Sequence, residues 1–246
     1  MKNPSKILVT GATSGLGREI ALQLAGRGAH VLATGRRVQR LAELEAKGSI
    51  TGYQLDMNDP DAIEAFSAQL GSLDGLILNA GVTFADDFES GDYATDAAMV
   101  QTNVLANLQL IRLCLPALTA TKGCILLVAS LGGLTPVPYQ SVYAGTKAFM
   151  VNFGLSLREE LAPSGVRVSV FAPGGIKTEM TDIPAMSHLE KNLAPVAEVA
   201  KAALKAYDTM PALSVPGREN KLVAAAGKLL PRGFMARQAA KLYRKD

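Results

Sequence analysis

The sequence contains few of the residues that metal sites and disulfide-rich folds require. It has only two cysteines and two histidines in 246 residues. Cys114 and Cys124 lie inside apolar runs, and neither has a histidine at the spacing of a metal-ligand pair. We therefore expect two buried free thiols and no metal site.

Long hydrophobic runs and basic stretches rich in aromatic residues are also missing. No uninterrupted apolar run reaches the roughly 18 residues of a membrane span. The first apolar run has only three residues before Thr10, which is too short for a signal peptide. The net charge is +3, and no basic patch with interleaved aromatics precedes Gly217, which argues against a nucleic-acid partner. We expect a cytoplasmic protein.

The composition is that of a folded chain, with 48% hydrophobic and 19% charged residues. Short β-rich runs occur near residues 6, 30, 50, 73, 124 and 166, and segments of helical period separate them. Most of the runs are continuously apolar, as strands buried on both faces of a parallel sheet are. The pattern predicts an α/β fold in a single domain over residues 1–246, with a doubly wound parallel sheet of the Rossmann type.

A glycine-rich turn follows the first predicted strand. Residues 10–17 read T-G-A-T-S-G-L-G, with glycines at 11, 15 and 17. Glycines let the backbone turn tightly and approach a pyrophosphate, which the N-terminus of the next helix then stabilises. An ordinary tight turn is the alternative, but the position between the first strand and the first helix favours dinucleotide binding. The candidate contacts are Gly11, Thr13, Ser14, Gly15, Leu16 and Gly17.

The end of the second strand indicates which dinucleotide is bound. A cofactor with a free ribose 2′-hydroxyl usually meets an acidic residue there, but no carboxylate lies between Glu19 and Glu43. Arg36 and Arg37 occupy the expected position of a 2′-phosphate. The alternative is a solvated first turn of the next helix. We favour NADP as the cofactor, with NAD second.

A serine, a tyrosine and a lysine follow the fifth predicted strand. Ser130 closes this strand, so its hydroxyl is expected at the carboxyl edge of the sheet, where such folds bind ligands. Tyr143 and Lys147 are four residues apart and share one face of a helix. A phenol titrates near pKa ~10, and an adjacent ammonium lowers that value, which makes Tyr143 a candidate general acid/base. Alone, such a pair is commonplace on a solvated helix.

Together these motifs resemble the short-chain dehydrogenase/reductase family over nearly the whole chain. The resemblance rests on T-G-x-x-x-G-x-G at 10–17, N-A-G at 79–81, Asn103, Ser130, Y-x-x-x-K at 143–147 and P-G at 173–174. Ala106 departs from the glycine common after the family's asparagine. Ser14 stands where some NADP-preferring members have a basic residue, so the cofactor prediction depends on Arg36 and Arg37.

The resemblance implies a role for each catalytic candidate. Ser130 would hold the substrate oxygen, and Tyr143 would exchange its proton. Lys147 would lower the tyrosine pKa and bind the nicotinamide ribose, while Asn103 would support a water-linked proton relay. The further cofactor contacts it implies are Asp56, Met57, Asn79, Ala80, Gly81, Pro173, Gly174, Ile176 and Thr178.

Two later segments interrupt the alternation of predicted strands and helices. Residues 176–194 contain Met180, Ile183, Met186, Leu189 and Leu193, which suggest a lid with an apolar wall; His188 there is expected to be solvated. Residues 217–246 carry eight Lys/Arg against two acids, as a basic helical segment that Pro231 and Gly233 interrupt. We expect this segment to pack against its own domain or a subunit of a homodimer or homotetramer. Peripheral contact with an anionic membrane is the less favoured alternative.

The expected activity is hydride transfer between NADP(H) and a carbonyl or secondary alcohol on a mainly apolar small molecule. Tyr143 would act as general acid/base, and no metal would be needed. One alternative is a 3-oxoacyl-thioester reductase. An alternative of another class is a cofactor-sensing protein that binds NADP(H) without catalysis.

Overall fold

The computed structural model describes residues 5–84, 87–182 and 193–243, apart from the side chains of 242 and 243. It contains one parallel sheet of seven strands in the order β3-β2-β1-β4-β5-β6-β7. The strands are β1 (Lys6–Val9), β2 (His30–Gly35), β3 (Ile50–Gln54), β4 (Gly75–Leu78), β5 (Cys124–Val128), β6 (Arg167–Phe171) and β7 (Leu213–Ser214). The predicted fold class and the single domain are confirmed.

Nine α-helices connect or follow the strands in the described part of the chain. They are α1 (Gly15–Gly26), α2 (Val38–Glu45), α3 (Pro60–Ser67), α4 (Tyr93–Val100), α5 (Ala106–Thr121), α6 (Ser141–Leu161), α7 (Val196–Thr209), α8 (Arg218–Leu229) and α9 (Arg232–Tyr243). Helices follow the strands because the crossover between two parallel strands must return the chain across a sheet face.

Alternate residues of the central strands enter two separate cores. Ile7 and Val9 of β1 are buried with α1, α2 and α7, whereas Leu8 is buried with α3, α5 and α6 on the opposite face. Both faces of the sheet are therefore covered, which explains why the strand sequences are apolar without alternation. The two cysteines are buried free thiols, as predicted.

The stretch Tyr93–Thr121 is one long helical rod with a π-helical turn at Gln101–Leu105. By length and composition it could cross a membrane, with a mean hydropathy of 1.4 in its most apolar 18-residue window. Its inward side chains, including Leu110, Cys114 and Leu118, instead lie in the hydrophobic core. We interpret it as a core helix with an uncovered outer face.

Two details differ from the sequence predictions. β7 is a seventh strand where six were expected; it has only two residues, paired with Val170 and Phe171, and is too short for a periodic signal. In the basic segment, Pro231 separates α8 from α9, but Gly233 lies inside α9 and does not interrupt it. A proline lacks the N–H group that a continuous helix needs, whereas a glycine in the first turn only weakens it.

Candidate active site

One cavity of about 610 Å³ opens at the carboxyl edge of the sheet. Its walls bring together residues from both ends of the chain. Of the residues predicted from the sequence, it is lined by Gly11, Thr13, Ser14, Gly15, Leu16, Arg36, Arg37, Asp56, Met57, Asn79, Ala80, Gly81, Ser130, Tyr143, Lys147, Pro173, Gly174, Ile176 and Thr178. Gly17 and Asn103 do not border it and lie behind the wall.

The glycine-rich loop has the shape that close approach to a ligand requires. Gly11 adopts φ +66°, and a Cβ atom on Gly17 would lie 2.3 Å from Asn79 Nδ2 and 2.4 Å from the Gly11 carbonyl oxygen. At the start of α1, Ser14 makes no side-chain capping bond, and the first turn contains no acidic residue. The first N–H groups of α1 are thus left for an anionic ligand, which fits the pyrophosphate of a dinucleotide.

Thr10 joins this loop to the end of the neighbouring strand β4. Its buried Oγ1 accepts hydrogen bonds from the backbone N–H groups of Asn79 and Ala80, both at 3.0 Å. In return, Asn79 Nδ2 donates to the Thr10 carbonyl oxygen at 3.0 Å. Asn79 thereby holds the loop in place as well as lining the cavity. Sequence analysis included Thr10 in the motif at 10–17 but not among the candidate contacts, because its hydrogen bonds to Asn79 and Ala80 depend on the neighbouring strand.

The next part of the cavity wall follows β3. Asp56 and Met57 lie just beyond the last residue of this strand, Gln54, and line the cavity. Met57 is buried, and Asp56 Oδ1 accepts from the Asn58 backbone N–H at 2.9 Å. This bond fixes the turn in which both residues meet the cavity.

Three arginines cluster where the 2′-phosphate of NADP is expected. Arg36 and Arg37 are exposed and line the cavity after β2. Arg40, one turn further along α2, donates to the Thr13 carbonyl oxygen at 3.3 Å. Glu179, which lies far away in the sequence, pairs with both Arg37 and Arg40. Neither Arg40 nor Glu179 was identified from the sequence, because their meeting depends on how β6 and α2 are arranged in space.

Ser130 lies two residues beyond β5, which ends at Val128 and not at Ser130 as predicted. It begins a short 3₁₀ turn, and its Oγ accepts from the Gly132 backbone N–H at 3.1 Å. A Cβ atom on Gly132 would lie 3.5 Å from Ser130 Oγ and 3.9 Å from Tyr143 Cε1. The serine hydroxyl and the tyrosine ring therefore flank the same small space, which Gly132 leaves open because it has no side chain.

Tyr143 and Lys147 lie one turn apart on α6, as the spacing predicts. Lys147 is buried, and its Nζ donates to the Val128 carbonyl oxygen at 3.0 Å. The same Nζ lies 5.7 Å from the centre of the Tyr143 ring. Burial disfavours the ammonium and lowers the pKa of Lys147 to about 8. The cation is held against the phenol ring by the backbone of β5.

Asn103 lies in the π-helical turn between α4 and α5. Its Oδ1 accepts from the Val82 N–H at 2.8 Å, and its Nδ2 donates to the Val82 carbonyl at 2.9 Å and to Thr146 Oγ1 at 3.1 Å. Asn107, one turn further, donates to the Asn103 carbonyl oxygen at 2.9 Å. The Asn103 side chain thus fixes the wall around Gly81 and Val82, and its relay role stays a prediction.

The substrate end of the cavity combines predicted and unexpected walls. Met180 and Leu193 line it, as the apolar lid segment suggests. Ile183, Met186, His188 and Leu189 lie outside the described residues. The C-terminal helices add Val223, Met235, Gln238 and Ala239, which sequence analysis did not assign to the site. Met235, Gln238 and Ala239 are spaced so that they share one face of α9, but the sequence does not indicate which part of the protein that face contacts.

Several known proteins are similar to this chain in sequence. A family model described as short chain dehydrogenase matches residues 5–186. Serine 3-dehydrogenase of Agrobacterium fabrum is 37% identical over 185 residues, which cover 71% of this chain and 73% of that protein. The NADPH-dependent 1-acyldihydroxyacetone phosphate reductase of Saccharomyces cerevisiae is 36% identical over 192 residues, 73% of this chain and 64% of that protein.

A solved structure extends the likeness to the whole chain. The crystal structure of a short chain dehydrogenase from Burkholderia cenocepacia J2315, in complex with NADP, superposes with a TM-score of 0.83 and 25% sequence identity. The match covers 100% of this chain and 100% of that chain, so it includes the C-terminal helices.

Proposed function

The chain belongs to the short-chain dehydrogenase family and is an oxidoreductase, and from this we propose that it is an NADP-dependent carbonyl reductase or alcohol dehydrogenase. The observation that carries the proposal is the convergence of Ser130, Tyr143 and Lys147 on the cavity that the glycine-rich loop also lines. One cavity thus joins a surface for a dinucleotide to an acid/base pair.

The chain's own residues would handle the substrate oxygen. The Ser130 hydroxyl donates a hydrogen bond to the carbonyl oxygen and orients it toward Tyr143. The Tyr143 hydroxyl gives its proton to that oxygen as the carbonyl is reduced, and takes it back in the reverse direction. The Lys147 ammonium stabilises the phenolate that remains. NADPH, when bound, supplies the hydride.

The glycine loop, the uncapped start of α1 and the arginine cluster would hold the cofactor. Arg36 and Arg37 favour NADP over NAD because guanidinium groups match the charge and geometry of a 2′-phosphate. The name of the yeast relative and the bound ligand of the Burkholderia structure support the same preference.

A mainly apolar substrate fits the remaining part of the cavity. Val137, Met180, Leu193 and Met235 contribute apolar walls there. The relatives do not narrow the substrate further, since one is named for serine and another for an acylated dihydroxyacetone phosphate at nearly the same identity.

A homo-oligomer would cover the outer face of the Tyr93–Thr121 rod. Only 39% of its most apolar window is buried within one chain. Leu105 and Leu113 on the rod and Phe149 on α6 are exposed, and Phe149 stacks on Phe153 with ring centres 5.5 Å apart. A second copy is the proposed partner, as is common in the family.

The basic C-terminal helices would pack against their own domain, where α8 and α9 wall the cavity.

Two measurements test the proposal. Titration calorimetry of NADPH and NADH should give tighter NADPH binding, and Arg36→Ala with Arg37→Ala should remove the advantage. A panel of apolar ketones, aldehydes and 3-oxoacyl thioesters is then assayed by NADPH oxidation. Turnover of simple carbonyls supports the proposal, preference for thioesters selects the acyl-thioester reductase, and binding without turnover of any compound indicates a cofactor-sensing protein.

A further inference from the structure

The carboxylate of Glu179 forms ion pairs with two of the three clustered arginines. Arg37 Nη1 donates to Glu179 Oε2 at 2.7 Å, and Arg40 Nη1 donates to Glu179 Oε1 at 2.5 Å. Both carboxylate oxygens are therefore engaged. Arg36, beside them, forms no ion pair with any residue in the described parts of the chain.

Glu179 reaches this position because the segment after β6 folds back over the glycine loop. Thr181 Oγ1 donates to the Ile176 carbonyl oxygen at 2.7 Å and accepts from the Thr178 N–H at 3.1 Å. Thr178 packs against Gly15, where a Cβ atom would meet its methyl group at 3.2 Å. The turn at 178–181 thus holds Glu179 next to α2.

The negative charge of Glu179 neutralises Arg37 and Arg40, as the 2′-phosphate of a bound cofactor would. Hydrogen bonds from Arg37 and then Arg40 lower the pKa of Glu179 below its usual value, so the group is ionised at neutral pH. The side chains of Arg37 and Glu179 are each 52% exposed. Exposed ion pairs are weak and exchange readily. A phosphate with a charge of about −1.5 to −2 would compete strongly for the same donors.

We propose that Glu179 is a specificity-determining residue that competes with the cofactor's 2′-phosphate for Arg37 and Arg40. This rests on the proposed function, since it concerns the same cofactor site. NADP must displace the carboxylate, or bind beside it at an electrostatic cost, whereas NAD carries a hydroxyl at that position and needs no displacement. Glu179 therefore reduces the preference for NADP that the three arginines would otherwise produce.

The test compares wild-type protein with Glu179→Gln and with Asp182→Asn. Asp182 lies in the same exposed segment and has no ion pair within the described chain, so the control removes the same charge without freeing an arginine. Dissociation constants are measured by calorimetry for NADPH, NADH, adenosine 2′,5′-bisphosphate and adenosine 5′-monophosphate. Adenosine 2′,5′-bisphosphate and adenosine 5′-monophosphate both lack the nicotinamide, so the difference between their dissociation constants reports on the 2′-phosphate alone.

Glu179→Gln should tighten NADPH and the bisphosphate by about tenfold, with NADH and the monophosphate changed by less than about twofold. The gain should shrink at high salt, and Asp182→Asn should lack most of it. Unchanged or weaker NADPH binding in Glu179→Gln overturns the inference, and weaker NADH binding shows instead that the carboxylate holds a ribose hydroxyl. If wild type prefers NADPH but the variant has no effect, only this inference fails; if wild type binds neither dinucleotide, the proposed function fails with it.

Discussion

The Nζ atom of Lys147 lies 5.7 Å from the centre of the Tyr143 ring, and the two residues are one helical turn apart. The ammonium is buried and is held by the Val128 carbonyl oxygen at the end of β5. A buried charge interacts more strongly with a neighbouring group than an exposed one does, because water screens it less. The pair is therefore suited to stabilise a phenolate.

Tyr143→Phe should remove this chemistry while preserving the shape of the cavity. Because the variant cannot transfer a proton, we expect kcat to fall by about 10²- to 10⁴-fold. The dissociation constant for NADPH should change by less than about threefold, since the ring still fills its place. Steady-state kinetics and calorimetry on the same preparation check both values. Retention of substantial turnover would exclude Tyr143 as the proton donor.

The rate of carbonyl reduction should depend on the protonation of Lys147. Its pKa is lowered to about 8, so the ammonium is present below that pH and is lost above it. We expect kcat for reduction to be level below about pH 8 and to fall as pH rises further, because the forming phenolate loses its neighbouring cation. The profile of kcat at saturating NADPH measures this. A profile that stays level to pH 10 would contradict the role given to Lys147.

The same shift has a consequence for stability with the opposite sign. In the unfolded chain, Lys147 titrates near its ordinary pKa of 10.5, so between about pH 8 and 10.5 the unfolded state binds more protons than the folded state. This residue's contribution to the free energy of unfolding should therefore rise across that window and be constant below it. Urea unfolding of wild type and Lys147→Met at several pH values isolates the contribution, because the variant lacks this titration.

Gly17→Ala should disrupt the glycine-rich loop of residues 10–17. The added Cβ would lie 2.3 Å from Asn79 Nδ2 and 2.4 Å from the Gly11 carbonyl oxygen, so the loop and the asparagine must separate. We expect NADPH binding to weaken by at least about tenfold and the melting temperature to fall. Gly26→Ala is the matched control, since a Cβ at this other end of α1 meets nothing within 4 Å. The control should be neutral or slightly more stable.

Thr10→Val tests the bond that ties β1 to β4. Valine keeps the shape of threonine but removes the Oγ1 that accepts from the N–H groups of Asn79 and Ala80. The half-buried N–H groups of Asn79 and Ala80 would lose their acceptor, at a cost of about 1 kcal/mol each in the free energy of unfolding. Chemical denaturation measures the loss. Thr10→Ser keeps the hydroxyl and should recover most of it.

Leu113→Asp tests the proposed oligomer. A charge on the outer face of the Tyr93–Thr121 rod should dissociate the assembly, because a buried unpaired carboxylate opposes association. Sedimentation velocity should show a smaller species than wild type at the same concentration. Val38→Asp places the same charge at an exposed position on α2, on the other face of the sheet, and should leave the assembly intact. A wild-type monomer would contradict the proposal.

Features carried by short stretches of chain were predictable from the sequence. The continuous apolar runs identify buried parallel strands, the glycines of residues 10–17 mark the turn before α1, and the four-residue spacing places Tyr143 beside Lys147. Each depends on local geometry: the side-chain periods of strands and helices, the tight turn that glycine permits, and the shared helix face of residues four apart. The fold class, the glycine-rich turn and the Tyr143–Lys147 pair follow from these alone, whereas Asn103 and the cofactor contacts after β3, β4 and β6 were implied by the family resemblance.

Features that join distant stretches depended on the three-dimensional packing. Glu179 meets Arg37 across 142 positions of sequence, although no carboxylate lies near the arginine in the chain. Val223 and Met235 wall the cavity from helices that show only a basic, partly apolar pattern in the sequence. β7 is a strand because Val170 and Phe171 offer it an edge, and not because two residues have a period. A side chain's own type and neighbours indicate which element it joins, whereas its contacts across the fold are set by where that element packs.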